Sequence, residues 1–244
     1  MPKPLRGYFP IMATPYTSDG EIDLVSVERL VDYLIENGAH GMSPNGGDSE
    51  APHLSVDERN TIIDVVLGTN GGRTPVLVGT SAHTVEETLQ LNQHAQKAGA
   101  DCVFVHPGWG RSKLSTEEIV DFYDTICSQI EIPVMIHGTA DMDLAVVQTL
   151  LERFPVITYI KEETSHGPKL RQYVDELRDR VTVFAPGLHY PGELGWGAMG
   201  VMPSCAAPRA HACIFDLWQE GRHDEARAAW NRMLPLVFWR WHTA

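Results

Sequence analysis

Short apolar runs alternate with amphipathic stretches of about 12 to 16 residues along nearly the whole chain, and that order admits few folds. The runs fall at 9–13, 41–44, 75–79, 102–106, 133–137, 157–161, 181–185 and 200–203. Helical patterns lie between them at 24–37, 56–69, 84–98, 115–130, 143–153, 167–179 and 190–197, and two more follow at 207–220 and 223–238. Parallel strands need a crossover after each strand, and a helix is the usual one. The runs VLVG, CVFVH, VMIH and ITYIK carry no polar alternation, as strands covered on both faces require. An open doubly wound sheet shares this pattern, but eight units within about 200 residues favour closure. The expected fold is α/β, a (β/α)8 TIM barrel over residues 1–220 with a short C-terminal helical segment at 221–244.

Helix starts are marked by capping chemistry. Ser55 precedes Glu58, Thr84 precedes Glu87, and Ser115 precedes Glu118, each an acceptor side chain followed by an acidic first turn.

A chain of 244 residues with 43% apolar composition can bury one large core. The formal charge is −13, from 32 acidic and 19 basic side chains. Such a surface repels phosphate backbones and anionic lipid, so neither nucleic acid nor membrane is an expected partner. The four cysteines form no CxxC pair and no metal-ligand spacing, and no window approaches 18 apolar residues. With no apolar signal core at the N-terminus, the expected setting is cytoplasmic.

In a barrel, reactive groups sit where strands run into their following loops. Those positions hold Thr14, Asn45 to Glu50, Thr80 and Ser81, His106 and Trp109, His137 and Thr139, Lys161 to Glu163, His189 and Ser204. Lys161 stands out among five lysines because it closes the run Val156-Ile157-Thr158-Tyr159-Ile160. An apolar setting disfavours a charged ammonium and frees the neutral amine, which is what imine formation with a ketone needs. The plainer alternative is a strand-end lysine paired with Glu162 or Glu163.

Further segments carry a resemblance. GYFPIMATPYTSDGEIDL, RTPVLVGTSAHTVEETLQL, IPVMIHG followed by ITYIKEET, and GAMGVMPS resemble, in this order, units of the dihydrodipicolinate synthase and N-acetylneuraminate lyase family. The resemblance runs from about residue 7 to about residue 238. It implies a class I aldolase or dehydratase on a (β/α)8 barrel, with Lys161 as the Schiff-base lysine. It also implies a small 2-oxo acid as substrate, no cofactor, and assembly into dimers or tetramers.

Three departures stand beside the match. The family's paired hydroxyl residues after the second strand become Gly46-Gly47-Asp48-Ser49-Glu50. A carboxylate at Asp48 disfavours a substrate carboxylate, whereas amides of Gly46 and Gly47 would suit one. The family's proton-relaying tyrosine falls at His137, a residue able to transfer protons near neutral pH. The family's Pro-Tyr-Tyr becomes Pro107-Gly108-Trp109, which leaves Trp109 to shape a pocket wall or a subunit contact.

The expected site is therefore Lys161 and His137 for chemistry, with Gly46, Gly47, Asp48, Thr14, Ser81, Trp109 and His189 around the substrate. Two alternatives remain open at this level. One is a metal-dependent barrel enzyme using His106, His137 and His189 with Asp48, Glu50 or Glu163, although no HxH or HExxH spacing supports it. The other is a relative that binds a small acid without turnover. The apolar tail, Leu234 to Trp241, is expected to pack on the barrel or on another subunit.

Overall fold

The computed structural model describes residues 5–107, 109, 113–139, 142–164 and 167–243, apart from the side chains of 239–243; Gly108 lies outside the described residues. In chain order the elements are β1 (Gly7–Tyr8), α1 (Leu24–Glu36), α2 (Val56–Asn70), β2 (Leu77–Gly79), α3 (Val85–Ala98), β3 (Cys102–Val105), α4 (Thr116–Cys127) and β4 (Val134–Gly138). There follow α5 (Leu144–Arg153), β5 (Ile157–Glu162), α6 (Gly167–Leu177), β6 (Thr182–Ala185), α7 (Tyr190–Gly195), β7 (Gly200–Val201), α8 (Pro208–Gln219) and α9 (His223–Thr243). The sheet has seven parallel strands in the order β1-β7-β6-β5-β4-β3-β2.

The run at 41–44, read from the sequence as a full strand, appears as single bridges. Ser43 bridges Ile11 and Met42 bridges Val76, both in parallel sense. Prolines 10, 44 and 75 have no N–H to give a ladder, so pairing here is sparse. Five hydrogen bonds still cross the gap: Met12 to Ser43, Ser43 to Pro10, Met42 to Pro75, Leu77 to Met42 and Gly79 to Pro44. They join the β1 edge of the sheet to its β2 edge. At the first strand the pairing also begins earlier than the sequence suggests, at Gly7, and continues through the Phe9 and Ile11 amides to Val201 and Pro203.

Side-chain alternation divides the apolar residues between two cores. Val78, Val103, Val105, Ile136, Ile160 and Val183 point outward into the helices. Phe9, Ile11, Leu77, Cys102, Phe104, Met135, Tyr159, Phe184 and Met202 fill the inner face. Two glycines make room for the inner aromatics: a Cβ at Gly41 would lie 2.1 Å from the Phe9 ring, and one at Gly200 would lie 2.2 Å from Phe184.

One irregularity bears directly on function. Val134 pairs with Ile157 but Met135 pairs with Tyr159, so Thr158 is an extra residue in β5. A bulge of this kind re-aims the residues that follow it. It brings Tyr159 and Lys161 into step with Met135 and His137, all four on the inner face.

The capping boxes read from the sequence form at Ser55/Glu58, Thr84/Glu87 and Ser115/Glu118. Each is worth about 1 kcal/mol. The last helix runs beyond the expected end at 238, with Pro235 inside it. Ala226, Trp230 and Met233 bury its inner side, and Trp230 packs on Tyr190 of α7. Leu234 and Val237 also lie against the core, whereas Leu236 and Phe238 are exposed. Among the described residues, no helix is long and apolar enough to cross a membrane.

Candidate active site

The inner face opens into a cavity of about 140 Å³ where the strands end. The described residues that line it include Gly47, Asp48, Phe104, His137, Lys161, Glu163 and Ser204, with apolar walls from Ile11, Pro186, Leu188, Met202 and Pro203. Lys161 is 5% exposed, a buried lysine at the end of a strand. Its Nζ lies against Glu163 Oε2 and 5.4 Å from the centre of the Phe104 ring. The pairing alternative raised by the sequence is thus realised with Glu163. Glu162, pointing to the other face, is buried and accepts from the Thr164 amide at 2.9 Å.

His137 faces Lys161 directly across the β4–β5 pairing. Its Nε2 stands 3.1 Å from the same Glu163 Oε2, so one carboxylate oxygen meets both the amine and the imidazole. The His137 ring packs on Phe104 at 4.6 Å and edge-on to His106 at 5.4 Å. Burial lowers the His137 pKa below the ordinary 6.5; Glu163 opposes this and the charge on Lys161 adds to it. Burial by itself would raise the Glu163 carboxyl, but Lys161 and His137 outweigh that and hold it at about 2. At neutral pH the cavity floor therefore carries a carboxylate and a neutral imidazole.

The Asn45–Glu50 loop is held by its own polar groups. Ser49 Oγ donates to the Met12 carbonyl and accepts the Gly46 amide at 3.0 Å. Thr14 Oγ1 donates to the Ser49 carbonyl at 2.6 Å. The Gly46 amide and the Thr14 hydroxyl are thus engaged within the loop, and Gly47 and Asp48 are the loop residues that reach the cavity. Ser81 Oγ accepts the His106 amide at 2.7 Å and braces the β2 and β3 ends instead of facing the cavity.

Trp109 stacks over the Arg59 guanidinium, 5.5 Å from the ring centre. Buried Arg59 in turn donates to the Gly79 and Ser81 carbonyls at 2.9 and 2.7 Å. His189 is exposed at the start of α7, and its neighbours Pro186 and Leu188 form the wall. Of the nine expected site residues, Lys161, His137, Gly47 and Asp48 come together at the cavity, while Gly46, Thr14, Ser81, Trp109 and His189 stand outside its lining. Among the described residues, no three His, Cys, Asp or Glu side chains converge as metal ligands.

From the sequence Glu163 enters only as a partner for Lys161 or a metal ligand, and Glu193 is not singled out at all. Glu163 is two residues beyond Lys161, which on a strand means the same face, and that spacing is a usable signal. Glu193, on α7, is 1% exposed and accepts from the Leu188 and His189 amides at 3.1 and 3.2 Å through Oε1, while Oε2 has no hydrogen-bond partner among the described residues. Burial raises its pKa from 4.5 to about 7, opposed by those amides and assisted by Glu163. The folded chain then holds a proton that the unfolded chain releases near pH 4.5. Stability accordingly falls as pH rises from about 4.5 to about 7. Glu193→Gln keeps the Oε1 acceptor and removes the ionisation. It is expected to erase that slope and to raise stability at pH 8 by about 1–3 kcal/mol, read by urea melts at pH 5 and pH 8.

Comparison with known proteins adds to this geometry. The sequence pattern of the dihydrodipicolinate synthetase family matches residues 4–244. The L-2-keto-3-deoxyarabonate dehydratase of Azospirillum brasilense is 29% identical over 248 residues, covering 95% of this chain and 78% of that protein. The 4-hydroxy-tetrahydrodipicolinate synthase of Pelobacter propionicus is 32% identical over 232 residues, covering 91% of this chain and 78% of that protein. Among solved structures, YagE of E. coli K12, a family member in complex with pyruvate, superposes with a TM-score of 0.89 at 26% identity. It covers 95% of this chain and 81% of its own.

Proposed function

Because the chain belongs to the dihydrodipicolinate synthetase family, we propose that it is a Schiff-base-forming lyase acting on a small 2-oxo acid through Lys161, on a (β/α)8 barrel with a helical extension from about residue 221. The observation that carries the reading is a buried strand-end amine at the floor of a cavity, with a carboxylate and an imidazole both in reach. Lys161 attacks the ketone carbon, and loss of water gives an imine that draws electrons from the adjacent C–C or C–O bond. His137, held neutral by burial, shuttles the protons that the reaction moves. Gly47 and Asp48 meet the substrate end nearest the second loop. Thr14 and Gly46 shape that loop, Ser81 braces the rim, and Trp109 and His189 stand further out. The relatives include a synthase and a dehydratase, and an imine at Lys161 would serve either kind of chemistry. No cofactor enters this route. Assembly into a homo-oligomer fits the reading too, with the outer face of α9, where Leu236 and Phe238 are exposed, as a candidate contact.

The test is turnover. Pyruvate, 2-oxobutanoate and 2-keto-3-deoxy sugar acids, each with and without an aldehyde acceptor, are followed by proton NMR. The reading expects product from at least one combination. A protein that consumes none of them, and binds them unchanged, contradicts the lyase reading and favours a binder without turnover.

A further inference from the structure

Glu163 is the group whose placement the imine reading uses least and the geometry stresses most. A single oxygen, Oε2, meets the Lys161 amine and lies 3.1 Å from His137 Nε2. The strand spacing explains why: Lys161 and Glu163 share the inner face, while Glu162 between them turns outward. Any carbonyl carbon bonded to Nζ, and the carbon next to it, must enter space already bordered by that oxygen. Glu163 Oε2 is in contact with Nζ itself, whereas His137 stands on the neighbouring strand with its Nε2 3.1 Å from that oxygen. Among the described residues, the charged and titratable groups around Glu163 are Lys161 in β5, His137 on β4, Glu193 on α7 and Asp48 in the cavity wall.

We infer that Glu163 is a catalytic residue of this site, the base that removes a proton from the carbon next to the imine and hands it toward His137. The inference rests on the imine reading given above. The step balances without any further reagent. The C–H bond breaks, its electron pair forms the C=C bond of an enamine, and the iminium π pair moves onto nitrogen. The proton leaves on Glu163 and passes to His137 Nε2. In reverse, the same pair protonates the enamine carbon. A neutral His137 suits this role because it can receive the proton from a carboxylic acid. General base catalysis of this sort contributes about 10²- to 10⁴-fold.

Two readouts on the same protein test it. In D2O, pyruvate methyl protons are followed by NMR for exchange, and borohydride traps the imine for mass spectrometry. Glu163→Gln is expected to keep trapping within about threefold while exchange falls at least about 10²-fold. Glu163→Asp, which retains a carboxylate set back by one methylene, is expected to fall between the two, and it takes the same comparison if Glu163→Gln does not fold. Trapping with exchange at the wild-type rate in Glu163→Gln overturns the assignment of Glu163 and leaves the imine reading intact. Equal loss of trapping and exchange in a folded variant also overturns it, in favour of a residue that only positions the amine. Wild-type protein that neither traps nor exchanges with pyruvate or any other 2-oxo acid of the panel above overturns the imine reading itself, and Glu163's role with it.

Discussion

Lys161→Met is expected to lower turnover of any accepted 2-oxo acid by at least about 10³-fold, since removing a covalent nucleophile leaves only binding and polarisation. Met suits the slot, because Lys161 is 5% exposed and its Nζ lies 5.4 Å from the centre of the Phe104 ring, where an apolar side chain can pack. The substitution strands Glu163 beside His137, so a control that keeps the positive charge is needed. Lys161→Arg provides it: a guanidinium stays protonated and forms no imine. Both variants should lose turnover alike, while Lys161→Arg keeps the ion pair with Glu163 and melts closer to wild type. Activity surviving in Lys161→Arg would place the chemistry elsewhere.

His137→Ala should cost about 10²- to 10⁴-fold in turnover while leaving imine trapping at Lys161 in place. The pH profile supplies an independent check. Burial and the nearby lysine disfavour the imidazolium, so the neutral ring persists to lower pH than an ordinary histidine. The acid limb of kcat/KM is therefore expected below pH 6.5 in the wild type and absent in His137→Ala. A limb at or above pH 6.5 that survives the substitution would assign it to another group.

Much of this architecture is legible in the sequence, for a physical reason. A strand covered on both faces must be apolar throughout, so the runs at β2, β3, β4 and β5 stand out, and a lysine ending one of them is conspicuous. The capping boxes are local and were equally readable. Three features were less so. The run at 41–44 joins the two sheet edges with few hydrogen bonds because prolines 10, 44 and 75 withhold donors, and composition alone suggests a fuller strand. The bulge at Thr158 sets which residues face inward, and nothing in ITYIKE marks it. The loop hydroxyls and amides were the hardest. Thr14, Gly46 and Ser81 lie at the right chain positions for a substrate, yet each polar group is engaged by a backbone or side-chain partner in the loops. Two of these pairings join residues 25 and 35 apart in sequence, Ser81 with His106 and Thr14 with Ser49, and chain order carries no trace of them. Glu163 is the opposite case: its spacing from Lys161 was a readable signal whose consequence appears only once His137 is seen on the adjacent strand.

The chemistry above requires a covalent bond between Lys161 and substrate. It is tested most directly by reducing the protein with borohydride in the presence of pyruvate and other 2-oxo acids, then mapping the modified peptide by mass spectrometry. One stable adduct per chain is expected, on the peptide that carries Lys161, with a mass equal to the reduced imine. No adduct with any acid in the panel, or adducts confined to Lys97, Lys113 or Lys169, would contradict it.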